Sequence, residues 1–234
     1  MTKDIWTLTK LDLRASKWIY WLTGGIMAAI VVNTLVQTII TYGKENSDNE
    51  LVSIVGYPLL ALVLFAIIIP ARHFRRIVNL GGTRSQYFRG AALTYVVLAL
   101  AVSLANVILT YGLTNPLART GWFQATINVV EVFGWLAHGP VVSFLQQFAF
   151  CLLLAAFLHT LTTMQDRWYG WVADILIIAI ISVFTPIAPL RHALVWFFQL
   201  IIFNPYPWLQ ILACLVLGAV LFAASKPLIT AKQI

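Results

Sequence analysis

The chain has 234 residues, 61% of them hydrophobic and only 10% charged, which excludes an ordinary soluble domain and marks an integral membrane protein. A bilayer core takes about 20 apolar residues per helical span, so this length accommodates several spans and leaves no room for a separate soluble domain. The net charge of +7 would point to nucleic acid in a soluble chain, but enrichment of Lys and Arg in inward-facing loops accounts for it here, and no nucleic-acid partner is expected.

Residues 3–17 interleave apolar and charged side chains, with Ile5, Leu8, Leu11 and Ala15 recurring at helical spacing. They predict an amphipathic helix lying on the membrane surface. The mixed charge and the lack of a small-residue cleavage site argue against a secretory leader. A first span is expected over 18–42, opened by Trp18, Tyr20 and Trp21 at the interface. A short acidic loop over 44–50 leads to a second span over 51–70, with Pro58 read as a kink.

Residues 72–90 follow, carrying Arg72, Arg75, Arg76, Arg84 and Arg89 between two apolar runs. Gly81 and Gly82 suit the end of a helix arriving from Arg72, and Thr83 or Ser85 the start of a second short helix. A basic loop between spans belongs on the cytoplasmic side, where arginines also attract anionic lipid.

A third span is expected over 91–113. Residues 115–140 contain Glu131, and a carboxylate at mid-membrane is costly; this segment reads as an interfacial helix on the outer surface. A fourth span over 141–164, a turn at 165–170 and a fifth span over 171–187 come next. Pro186, Pro189, Pro205 and Pro207 bracket a short apolar stretch over 193–203, too short to cross and read as a re-entrant or interfacial outer helix. The sixth span is 208–224. Six spans place both termini on one side, and that side then holds twelve of the fifteen Lys and Arg residues, which sets both termini in the cytoplasm. The expected fold is therefore a single all-α, multi-pass membrane domain over 1–234 with both termini in the cytoplasm.

Chemistry is sparse. Gly43 and Lys44 are followed by Glu45, so no phosphate-cradling loop is present, and neither the dinucleotide nor the zinc-protease motif occurs. Cys151 and Cys214 lie in apolar runs with no metal or disulfide spacing; no metal site is expected. His138 and His159 are 21 positions apart, about 31 Å along one helix, too far to share a haem. Asp174, about a turn into the fifth span, is a candidate functional acid, or else pairs with Arg167 or the basic loop to hold helices together. Asn33, Gln37, Asn106, Gln146, Gln147 and Gln199 line a cavity or join helices.

The segment Asn79-Leu80-Gly81-Gly82-Thr83-Arg84-Ser85-Gln86-Tyr87-Phe88-Arg89-Gly90 resembles the coupling segment between the second and third spans of ABC-2-type permeases, the type V exporter-like class. That class includes small Gram-positive permeases for antibiotic and antimicrobial-peptide resistance. Tyr87 replaces the family's first Phe, Gln86 stands where a basic residue is frequent, and the turn at 166–170 matches only loosely. The resemblance implies an ATP-driven exporter whose ATPase, with its ATP and Mg, is another subunit, and a second permease copy or paralogue. It implies coupling roles for Arg76, Asn79, Gly81, Gly82, Thr83, Arg84, Tyr87, Phe88 and Arg89, with Arg84 and Arg89 meeting carboxylates while Tyr87 and Phe88 fill a groove on the ATPase. No cofactor is expected in this chain. Other classes remain: a membrane-embedded enzyme using polar groups near Asp174 and His159, or a membrane sensor or immunity protein that sequesters a peptide.

Overall fold

The computed structural model describes residues 2–41, 51–52, 54–79, 81–116, 126–165 and 167–231. The acidic loop at 44–50, Arg119, Trp122, Asp166 and Lys232 lie outside them. The described chain is helical apart from one two-residue parallel pairing, Leu51 with Thr126 and Val52 with Ile127. Its helices are α1 (Thr2–Ala15), α2 (Lys17–Thr41), α3 (Pro58–Ile68), α4 (Phe74–Asn79), α5 (Arg84–Val107), α6 (Val129–Val132), α7 (Gly139–Met164), α8 (Trp168–Phe184), α9 (Ala188–Ile201) and α10 (Pro207–Ala231).

Five helical segments are long and apolar enough to cross a membrane, and a sixth is obtained if α8 and α9, bent by 117°, form one broken span. The difference from six simple spans lies in that pair. The fifth span expected over 171–187 is α8, seventeen residues long. The short stretch expected over 193–203 is α9, which begins five residues earlier at Ala188 because Pro189 sits in its first turn. Proline is tolerated there, since its missing N–H would have no intrahelical partner. The same rule corrects Pro58, which occupies the first turn of α3 and makes no mid-span kink.

The second span is displaced towards its carboxyl end, running from Pro58 through a π-helical turn at Ile69–His73 into α4. Pro70 carries no N–H for an ordinary i→i−4 bond, and the N–H of Phe74 reaches back to the Ile69 carbonyl. The third span starts at Arg84, not 91, and ends in a second π segment, Ile108–Thr114. Among the described residues no further helix lies between α4 and this span. Glu131 is exposed in the single turn α6, whose Asn128 cap accepts from the Val130 N–H at 2.9 Å.

Helix α7 is the centre of the bundle. It buries residues on every face, from Ser143 and Gln146 to His159 and Thr163, and contacts α3, α5, α8 and α10. Its closest neighbour is α10. A Cβ added at Gly218 would lie 3.2 Å from the Leu153 Cα, so the two backbones meet at a small residue, as helices in lipid commonly do. By contrast α2 and α8 present mostly exposed apolar side chains, including Trp21, Ile39, Trp171 and Ile178.

Replacing Gly218 by Val should push α10 off α7 and cost about 1–3 kcal/mol, read as a lower unfolding temperature in detergent. Ala at Gly82 should also destabilise, because its Cβ would fall 2.6 Å from Ile77 Cγ2 and 2.9 Å from the Ile77 carbonyl oxygen. Unchanged unfolding in either variant would contradict this packing.

Candidate functional site

The basic segment forms a tight helical hairpin between α4 and α5. The Gly82 N–H bonds the Ile77 carbonyl and the Gly81 N–H the Val78 carbonyl, each at 2.9 Å. Gly81 has a φ of 82°, a conformation that ends helices readily only when no Cβ is present. Thr83 then caps α5. Its hydroxyl accepts from the Gln86 N–H at 3.2 Å, and the Gln86 side chain accepts from the Thr83 N–H at 2.9 Å. This reciprocal pair satisfies two donors that helix geometry leaves open.

The hairpin divides the coupling candidates into two groups. Arg76, Asn79, Gly81, Thr83 and Arg89 are exposed, as are Arg72 and Arg75. Tyr87 is 1% exposed and packs edge-on against Phe74, with ring centroids 5.1 Å apart. Phe88 stacks on Phe222 of α10 at 4.4 Å, and Arg84 donates to the Thr230 carbonyl. Tyr87 is therefore committed to this chain's own core, contrary to the expectation that it fills a partner's groove, while Phe88 is half-buried against α10. The reason is geometric: once Thr83 starts α5, Tyr87 and Phe88 fall on the helix face turned to the bundle.

Helix α1 docks against this hairpin. Asp12, 3% exposed, holds His73 Nδ1 at 2.8 Å, and Ser16 Oγ lies 3.3 Å from His73 Nε2. Leu8 faces Gly90, where an added Cβ would come within 3.4 Å of the Leu8 Cβ. The inward face is Thr9, Asp12 and Ser16, all buried, flanked by half-buried Leu8 and Leu13, while Leu11 and Ala15 are exposed. The helix is amphipathic as expected, but the face turned to protein is rotated towards its polar side because a histidine waits there for Asp12.

Deeper in the bundle, His159 Nδ1 lies 2.7 Å from the Tyr95 hydroxyl, and its ring packs against Tyr87, Tyr95 and Phe222. Asp174 accepts from the Gln165 amide at 2.7 Å, a partner the sequence did not nominate; Arg167 is exposed, and its N–H bonds the Met164 carbonyl. Among the described residues no three His, Cys, Asp or Glu side chains gather as a metal site would need.

Of the other polar candidates, Gln146 joins two helices, Gln147 bonds within its own helix, and Asn106 ties α5 to the loop before α3. Gln146 donates to Gln210 at 2.6 Å, Gln210 to the Ile201 carbonyl at 3.1 Å, and the Cys214 thiol to that same carbonyl at 3.4 Å. Gln147 donates to Ser143 at 3.1 Å, and Asn106 accepts from the Gly56 N–H at 3.1 Å. Asn33 and Gln199 are exposed, and the Gln37 side chain lies outside the described set. Sequence reasoning missed Asp12, Tyr95 and Gln210. Gln210 carried a signal, being an amide within the last apolar run. Asp12 and Tyr95 carried none, since their partners lie 61 and 64 positions away.

No family model, curated protein or solved structure matches the chain.

Asp12→Ala should leave Nδ1 of buried His73 without its partner and cost about 1–3 kcal/mol. Faster proteolytic loss of residues 2–15 would report the release of α1. In a double-mutant cycle, Gln146→Leu and Gln210→Leu should couple by about 0.6–1.7 kcal/mol, the range for interhelical bonds in lipid. Additive effects would place the two amides apart.

Proposed function

We propose that the chain is the membrane-spanning permease subunit of an ATP-driven exporter in a bacterial plasma membrane. A separate ATPase subunit, which binds ATP and Mg, docks on the α4–α5 hairpin. The observation that carries this reading is the hairpin itself. Its backbone is fixed by a glycine turn and a reciprocal cap, and it displays exposed Arg72, Arg75 and Arg76. A rigid element bearing guanidinium groups suits a partner surface of carboxylates.

The buried residues complete the mechanism. Tyr87, Phe88 and Arg84 anchor the hairpin to Phe74, Phe222 and Thr230, so a push on the exposed arginines is delivered to α4, α5 and α10 together. Closure of the ATPase dimer then moves these helices as a body, and alternating access follows. The carried substrate is lipophilic or peptidic, in keeping with a resistance or immunity role. A complete pathway needs a second permease, identical or paralogous. Asp174 and His159 serve packing in this scheme, through Gln165 and Tyr95.

An ATPase should co-purify with the tagged protein from its host and be lost from the Arg75→Glu/Arg76→Glu variant. Stability should stay within about 0.5 kcal/mol, as for exposed positions. Phe88→Ala should instead lower stability, since it removes a ring stack. The reading fails if no nucleotide hydrolase accompanies the wild type, or if charge reversal leaves it bound. It fails equally if a cysteine at Ser85 is labelled from outside intact cells by an impermeant maleimide.

A further inference from the structure

A cleft of about 230 Å³ opens between α5 and α10, with α7 as its floor. Ala92 and Val96 form one wall, Leu215, Gly218 and Ala219 the other, and Leu152 and Ala156 lie beneath. Its one polar-tipped lining residue, Tyr95, is buried, with its hydroxyl at His159, so the depth of the cleft is hydrocarbon-like. An alkyl chain, lacking polar groups, suits such a lining, whereas a peptide would bring backbone N–H and C=O groups that the lining cannot satisfy.

The charged end of the cleft is set by helical spacing. Arg89, Ala92 and Val96 follow an i, i+3, i+7 pattern on α5, and Leu215, Ala219, Phe222 and Lys226 follow i, i+4, i+7, i+11 on α10. Arg89 and Lys226 therefore stand on the cleft's two walls, one turn beyond its lining. Both are exposed, and neither makes an ion pair among the described residues. Phe222, stacked on Phe88, lines the end of the cleft nearest Lys226. From Lys226 to Leu215 is about 16 Å at 1.5 Å per residue, close to the ~15 Å of one leaflet's hydrocarbon.

We infer that the α5–α10 cleft binds one anionic phospholipid of the leaflet on the hairpin side, its phosphate-bearing headgroup between Arg89 and Lys226 and one acyl chain lying along the groove. Two cations at headgroup level above a leaflet-deep apolar channel fit that amphiphile: the cations select negative charge, and the channel accepts the chain. The site belongs to this chain alone and requires no ATPase.

The test uses the full-length protein, stripped of lipid in detergent and offered equal amounts of phosphatidylglycerol and phosphatidylcholine with identical chains, with retained lipid counted by native mass spectrometry. Wild type should hold phosphatidylglycerol in preference by on the order of tenfold. Arg89→Gln/Lys226→Gln should bring the ratio near one, while Arg75→Gln, on the same side but off the cleft, should leave it unchanged. Ala219→Trp should fill the groove and abolish retention of both lipids. Ala92→Phe, from the opposite wall, serves the same purpose should the tryptophan variant misfold. Equal retention by wild type would overturn the inference, as would a loss in Arg75→Gln matching that of the double variant. Undiminished lipid on a folded groove-filled variant would do so too.

Discussion

Lipid tails are as apolar as leucine, so in a bilayer the many apolar side chains of this sequence give no helix pair an advantage over another. Discrimination has to come from close backbone approach and from polar groups that cannot be left facing hydrocarbon. Both are concentrated on α7. Gly218 lets α10 reach the Leu153 backbone, and Gln146, Thr160 and His159 find partners on α10 or α5. The remaining helices are arranged by what α7 leaves available.

The two ends of the bundle are built differently. Towards α6, Val55, Val130 and Trp135 form a small aromatic-topped cluster, and the Trp135 indole donates to the Ile202 carbonyl at 2.9 Å. Packing and directed bonds, including Gly56 to Asn106, seal this end. At the opposite end α1, the α4–α5 hairpin and the last turns of α7 and α10 converge, through Asp12–His73, Phe88–Phe222 and Arg84–Thr230. That end combines a buried polar lock with a basic surface, a pairing that suits an element meant to receive force without losing its shape.

Features of local origin were legible in the residues. The hairpin's stop and start came through, because a Gly-Gly pair and a Thr with Gln three positions on act within one turn of themselves. The long apolar runs likewise became α2, α3, α5, α7 and α10. Span edges were less legible where proline was involved: Pro58 and Pro189 read as interruptions yet stand in first turns, since the same missing N–H that breaks a helix interior is harmless at its start. The bend between α8 and α9 and the inward aim of Tyr87 depend on neighbours distant in sequence. The turned face of α1 depends on His73, and no periodicity within residues 2–15 could reveal it.

The Gln146–Gln210 bond also bears on how the protein is made. Its two ends are 64 positions apart, so at 5–20 residues per second α7 waits roughly 3–13 s for its acceptor to be synthesised. During that interval an amide sits in the growing bundle without its final mate, and nascent α7 gains from staying near the translocation machinery or near water. Synthesis of α10 supplies that mate, so the α7–α10 contact can close only after residue 210 has been made.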